Sequence, residues 1–295
     1  MQTNGYGALG ALALIAALAA CDDGGSRSFD GAGDADVDGD GDADADGDGD
    51  GDADGDADTD IVDTDTECYE MIDIIFALDV STTMSGYLET LENEIGLVWS
   101  AAQELDDDPH FGLVVFVDDV LVVSDTTYES VAAIQGDFHE WYTHTSTNQQ
   151  TQSTATNTDW PENSLDALYA AATDYQWRDP SLTLRVIIHA TDDTFREYPD
   201  AFTSGIQATT TYGEVVQVLQ DQTVRVASFA AHEGGSTGTT DVEPGFFTDY
   251  AGQSPIPAAT SGQVFDIDQV GGAISLADAI NDFVIEEFCS QYNPE

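Results

Sequence analysis

The sequence predicts an α/β fold: a doubly wound, mostly parallel sheet with helices on both faces, preceded by a disordered acidic linker. Three observations predict it. From residue 68 to residue 288, strand-like apolar runs alternate with helix-length amphipathic segments. The first run, Ile72–Leu78, is almost continuously apolar, as a strand covered on both faces is. Ahead of it, residues 22–67 hold almost no large apolar side chain and cannot build a core. The expected organisation is a signal peptide over 1–20, a linker over 21–67 and one domain over 68–295. At roughly 225 residues, that domain is large enough to bury a substantial interior.

The elements follow in order. A strand over Met71–Leu78 leads into a helix over Gly86–Leu105, which Asp106-Asp107-Asp108-Pro109 breaks. Phe111–Val117 and Leu121–Ser124 read as strands separated by Asp118-Asp119. Val131–Trp141 reads as a helix. Tyr142–Thr158, rich in Thr, Ser, Gln and Asn without apolar periodicity, reads as a loop. A helix over Asn163–Tyr175 precedes a strand over Leu182–Ala190. Gly213–Asp221 is a helix and Val224–Ala230 a strand. Glu233–Gly245 is a Gly/Thr-rich loop, and Phe246–Ala251 a helical turn. Gln263–Ile267 is a short strand, and Ala273–Phe288 the closing helix.

Charge narrows the partners. The chain has 58 acidic and 5 basic residues, and none is Lys. From Cys68 onward, 38 acids face four arginines, so the domain is strongly acidic without its linker. Nucleic acid is excluded as a partner, because phosphate binding needs Lys and Arg. Cations and basic surfaces are favoured.

The N-terminal region carries two signals. Ala8–Ala20 is an uncharged apolar run, too short to span a bilayer and suited to the h-region of a signal peptide. It ends Leu18-Ala19-Ala20-Cys21, which resembles a bacterial lipobox. That resemblance implies a lipidated Cys21 as the mature N-terminus, a membrane anchor, and a place in the cell envelope, either periplasmic or at the cell surface. The alternative is ordinary signal-peptide cleavage beside a fortuitous cysteine. From Asp34 to Asp60 every even-numbered residue is Asp. Such a tract repels itself and stays extended, with a reach of up to about 150 Å, as a stalk. Asp34–Gly39 matches the start of an EF-hand loop, but Ala45 stands where the bidentate Glu belongs. Weak counter-ion condensation is therefore expected rather than structured Ca²⁺ sites.

The candidate site begins at Asp79-Val80-Ser81-Thr82-Thr83, on the turn after the first strand. Ligands bind at the carboxyl ends of strands in open α/β sheets. Oxygen donors without His or Cys suit Mg²⁺, Mn²⁺ or Ca²⁺. The pattern resembles the metal-ion-dependent adhesion site, Asp-x-Ser-x-Ser, of von Willebrand factor A domains, with Thr83 in place of the last Ser. That fold is doubly wound, in agreement with the element order.

Asn157-Thr158-Asp159-Trp160-Pro161-Glu162, followed by the helix Ser164-Leu165-Asp166-Ala167-Leu168, resembles the I-like domain of integrin β subunits. Phe116-Val117-Asp118 resembles the Phe-Val-Asp segment of the same family. The resemblance implies that Glu162 and Asp192 join Asp79, Ser81 and Thr83 as metal ligands. It implies a possible second cation site at Asp118, Asn157 and Asp159. Thr158 is the alternative to Glu162, because most von Willebrand A domains use a Thr in this loop. The integrin family's third site is doubtful here, since Gly86 and Tyr87 stand where its Asp pair lies. The bland alternative is that Ser81, Thr83 and Asp192 only cap helices.

If Cys21 is lipidated, Cys68 and Cys289 remain. Export favours their oxidation, and the resemblance implies that the two ends lie close together; the alternative is two free thiols. Catalysis is not expected. No Gly-x-Ser-x-Gly elbow occurs, the absence of Lys rules out a P-loop, and His139, His144, His189 and His232 show no ligand spacing. His189 lies in an apolar strand and reads as a core residue.

The expected function is a membrane-anchored, extracytoplasmic domain that binds a divalent cation and mediates protein–protein interaction or adhesion. Its partner presents an Asp or Glu carboxylate, and Tyr142–Asn157 lies where the integrin relatives place their specificity loop. The alternative is a structural envelope lipoprotein whose cation only supports the fold, or whose acidic stalk buffers cations. Because ions screen self-repulsion, thermal stability should rise with added NaCl. A melting curve that stays flat or falls up to molar salt contradicts that expectation.

Overall fold

The computed structural model describes residues 68–232 and 242–294. The signal peptide, Cys21, the linker over 21–67 and most of the loop over 233–245 lie outside the described residues. Among the described residues no helix is long and apolar enough to cross a membrane.

Six strands form one sheet: β1 (Met71–Asp79), β2 (His110–Phe116), β3 (Val120–Ser124), β4 (Thr183–Thr191), β5 (Val224–Ala230) and β6 (Gln263–Asp266). Their spatial order is β3-β2-β1-β4-β5-β6. All pairs are parallel except β2 with β3, which turn back on each other through Asp118-Asp119. The helices are α1 (Ser85–Leu105), α2 (Val131–Thr145), α3 (Ser164–Asp174), α4 (Tyr212–Asp221), α5 (Ile256–Ala259) and α6 (Leu276–Phe288).

Alternation along β1 builds two cores. Ile72, Ile74, Phe76 and Leu78 pack on one face with residues of α1, α2 and α6. Ile75 and Ala77 pack on the other with residues of α3 and α4. Both sets are fully buried, which is why the sequence of β1 reads as continuously apolar.

Local chemistry fixes where the elements end. Asp106 closes α1 and also accepts from the Ile72 amide at 2.8 Å and from Arg178, tying the helix end to the start of β1. Arg178 meets Asp73 at 2.6 Å on the same edge, neutralising a carboxylate inside the sheet. Thr211 and Glu214 form a capping box for α4. Cys68 and Cys289 are joined in a disulfide. It closes almost the whole domain into a loop, which by chain entropy stabilises by roughly 3–5 kcal/mol.

Some boundaries differ from the sequence expectation. α2 runs past Trp141 to Thr145, because Thr145 is buried and its hydroxyl donates to the Tyr142 carbonyl. Phe246–Ala251 holds only one helical turn, which starts earlier, at Glu243, whose carbonyl accepts from the amides of Phe246, Phe247 and Thr248. Two isolated bridges, Pro244 with Thr248 and Tyr250 with Gln253, hold it in tight turns. The short α5 was not anticipated, its four residues being too few to show periodicity. α6 starts at Leu276 rather than Ala273, because the Ser275 hydroxyl caps it by accepting from the Asp278 amide.

His189 is a core residue. It is fully buried, its Nδ1 lies 2.8 Å from the Ser228 hydroxyl, and its ring stacks between Phe116 and Phe246. Burial lowers its pKa to about 3. The unfolded chain, with an ordinary histidine, binds a proton below about pH 6.5 that the folded protein refuses. Stability from this residue is therefore complete above that pH and lost as pH falls toward 3. Urea titrations of the protein and of His189→Gln at pH 7, 6, 5 and 4 should show the stability gap closing by about 1 kcal/mol per unit. A constant gap contradicts the assignment; the acidic groups, common to both proteins, cancel in the comparison.

Candidate functional site

The carboxyl ends of β1, β2 and β4 are level. Asp79 lies opposite Phe116 in the parallel register, and Leu78 opposite Ala190. β1 is where the winding reverses, so the connections on its two sides diverge and leave a crevice. The sequence-predicted metal ligands reach this edge on three segments: Asp79, Ser81 and Thr83 at the end of β1, Glu162 before α3, and Asp192 after β4.

Asp79 is fully buried. Its Oδ1 accepts from the Ser81 amide at 2.7 Å, and its Oδ2 from the Thr191 hydroxyl at 2.8 Å. Ser81 and Thr83 hydroxyls lie 3.3 Å apart, and Thr83 donates to Asp192 at 3.0 Å. A chain of contacts thus joins Asp79, Ser81, Thr83 and Asp192 across two strands. The backbone of the loop before α3 is fastened to the segment after β4, the Glu162 amide donating to the Thr194 carbonyl at 2.8 Å. This brings in Glu162, which is 1% exposed. Its Oε1 accepts from the Asn157 side-chain amide at 2.7 Å, whereas its Oε2 has no hydrogen-bond partner. A cleft of about 270 Å³ is lined by Ser81, Thr83, Asn157, Glu162 and Asp193, with Trp160 among its walls. Thr158 also lines it but is exposed.

The electrostatics are one-sided. Burial, then the Asp192 charge, holds the Asp79 carboxyl well above its usual range. Burial, then the charges of Asp79, Asp118 and Asp193, does the same for Glu162. Burial raises Asp192, and burial followed by Asp192 pushes Asp193 up to about 7. Buried carboxylates in this arrangement require protons or a cation to offset their charge.

The second group is only partly assembled. Asp118 is buried, and its Oδ2 accepts from Gln150 at 2.9 Å. Its Oδ1 lacks a hydrogen bond of good geometry, although the Ser204 hydroxyl lies close enough to favour its charged form. The buried Asn157 Oδ1 is likewise unpartnered. Asp159 is engaged elsewhere, by Arg196 at 3.0 Å and by the Thr203 amide. At the place of the integrin family's third site, Gly86 opens α1, and Tyr87 is buried with its ring 5.8 Å from that of Phe229.

Sequence reasoning passed over Gln150. It is 1% exposed, accepts from the amides of Asp118 and Asp119, and donates to Asp118. With Thr151 bound to Asp119, it staples the 146–158 loop onto the β2–β3 turn. A Gln inside a polar loop gives no pattern by which to find it.

Among the described residues, no three His, Cys, Asp or Glu side chains converge closely enough to form a metal cluster by themselves. The convergence seen is of carboxylates with hydroxyls. The orphaned Glu162 oxygen and the crowding of acids around it fit a hard divalent ion.

The sequence matches no family model, and no curated protein is similar to it at a significant level. Several solved structures are similar in fold. Proximal thread matrix protein 1 from the mussel byssus shares 15% identity at a TM-score of 0.46; the match covers 77% of this chain and 48% of that protein. This chain thus spans about half the mussel protein's length. BatB, a conserved hypothetical protein from Bacteroides thetaiotaomicron, shares 16% identity at a TM-score of 0.46, with 74% and 100% covered. An aerotolerance-related membrane protein from Bacteroides fragilis shares 14% identity at 0.44, with 73% and 99% covered. At such distances none of their properties transfers. The topology itself, six strands wound outward from β1 with one antiparallel edge and helices on both faces, is that of a doubly wound, Rossmann-like α/β fold.

Glu162→Gln removes one of the crowded charges and directs an amide toward the remaining acids. In metal-free buffer it should raise stability, on the order of 1 kcal/mol. It should also shrink any rise in melting temperature produced by Mg²⁺. Differential scanning calorimetry in EDTA and in Mg²⁺ checks both; a metal-free variant less stable than the parent contradicts the account.

Proposed function

We propose that this domain is a cation-dependent binding module, held to the cell envelope by a lipidated Cys21. It takes Mg²⁺, or Mn²⁺ or Ca²⁺, on Asp79, Ser81, Thr83, Glu162 and Asp192, with Thr158 as the alternative to Glu162. Its partner is a protein that offers an Asp or Glu carboxylate to the same crevice. One observation carries the reading: the buried Asp79 lies in the field of Asp192, the buried Glu162 lies in the field of Asp79, and Glu162 keeps one buried oxygen without a donor. The bound cation would supply attraction for a partner carboxylate that the acidic surface otherwise repels.

This chain's own groups do the positioning. Thr191 and the Ser81 amide orient Asp79, Asn157 orients Glu162, and the Thr83 hydroxyl orients Asp192. Asp118 and Asn157, each with an unpartnered oxygen, are the better half of a second cation site. Asp159 would have to leave Arg196 to join them. The reading is of ligation, not of catalysis. The Cys68–Cys289 disulfide supports an oxidising, extracytoplasmic compartment.

Isothermal titration should show Mg²⁺ or Mn²⁺ binding by the protein and none by Asp79→Ala. Pull-down from envelope extract should recover a partner in Mg²⁺ that is lost in EDTA. Capture unchanged by EDTA contradicts the reading. Should Asp79→Ala lower stability yet retain the partner, the cation would serve the fold alone.

A further inference from the structure

Trp160 differs from the other three tryptophans. Trp141 is buried, Trp99 stacks on Phe111, and the Trp177 indole donates to carbonyls at the end of α3. Trp160 is 47% exposed and lies on the wall of the crevice that holds Ser81, Thr83, Glu162 and Asp193. Its loop is braced on both sides. Asp159 is held by Arg196 and the Thr203 amide, and the Glu162 backbone by Thr194. An exposed indole on a braced loop is a pre-organised contact surface, because little backbone freedom remains to be lost on binding.

The charge around it defines what it contacts. Every arginine after Cys68 is committed within the domain. Arg178 binds Asp73 and Asp106, and Arg185 binds the carbonyls of Arg178 and Gln222. Arg196 binds Asp159, and Arg225 binds Glu287. With no Lys in the chain, nothing among the described residues of this face offers a free ammonium or guanidinium to offset its carboxylates. A partner bearing acid alone would approach against the whole field of the domain.

We propose that the partner surface is basic around its one coordinating acid, and that Trp160 receives an adjacent Arg or Lys side chain on its indole face. This rests on the cation-site reading above and specifies the partner for it. A cation over an exposed indole strengthens binding by about two- to fivefold.

The test uses three short peptides, each with one central Asp flanked by Arg, by Ser or by Glu, titrated into the full chain in Mg²⁺ and in EDTA. The Arg-flanked peptide should bind about two- to fivefold more tightly than the Ser-flanked one and quench tryptophan fluorescence. The Glu-flanked peptide should bind most weakly. Trp160→Ala should remove most of the advantage of Arg over Ser, and Trp160→Phe should keep part of it. Both variants should take up Mg²⁺ as the parent does, since Trp160 offers no ligand.

Equal affinities for the three peptides, an Arg preference untouched in Trp160→Ala, or no peptide binding by a Mg²⁺-loaded protein would overturn the proposal and leave the cation site standing. Absence of Mg²⁺ binding by the parent would overturn the cation site itself, and this proposal with it. Tighter, Trp160-dependent binding of an oligosaccharide of uronic acids than of the Arg-flanked peptide would overturn it in favour of a glycan.

Discussion

The structure turns on how Asp79 is held. A carboxylate at the end of the central strand, fully buried, accepts one hydrogen bond from the turn that follows it and one from Thr191 on the neighbouring strand. Those two donors fix its orientation but leave its charge without a counter-ion. The surrounding acids compound the cost instead of relieving it. A protein concerned only with stability would place an apolar side chain or a salt bridge here. The opposite edge does so: Asp73 on the same strand is met by Arg178. One strand therefore carries an acid paired with arginine near its start and one surrounded by other acids at its end.

Holding such a group requires a rigid frame, and the fold supplies it through its loops. The β2–β3 turn binds the 146–158 loop through Gln150 and Thr151. The segment before α3 is fastened both to that turn, through Asn163, and to the end of β4, through Glu162. Asp166 extends the network by accepting from the amides and hydroxyl of Thr209 and Thr210. Loops that would otherwise wander are tied to one another by side-chain to backbone bonds, so the oxygen donors meet with little freedom left.

Much of this was legible in the sequence. Parallel strands covered on both faces betray themselves as runs that are mostly apolar, and β1, β2, β4 and β5 were all readable in that way despite Asp73, Arg185, His189 and Arg225. Asp79, Ser81, Thr83 and Asp192 are linked on one edge because β1 and β4 are neighbours, and Glu162 reaches that edge through its backbone bond to Thr194. Asp159 shows where motif reading stops. Its spacing is right, but one of the chain's few arginines lies within reach and binds it. Such a contact depends on the path of the 194–203 segment, which has no periodicity to read. The same holds for Gln150, and for the short α5, whose four residues carry no repeat. Patterns reveal elements; they do not reveal which polar side chains one loop lends to another.

The positions of the two ends of β1 have a mechanical consequence. The upstream chain enters the domain at Cys68, beside the amino end of β1, and Asp79 closes its carboxyl end. A pull between that entry point and a ligand seated in the crevice runs lengthwise along the central strand. It loads the ladders to β2 and β4 in shear, with their backbone bonds sharing the force together instead of opening one after another. The Cys68–Cys289 bond ties the last helix to the same point of entry, so tension cannot peel that helix away first. A force applied between Cys68 and the crevice would thus run along the axis of β1.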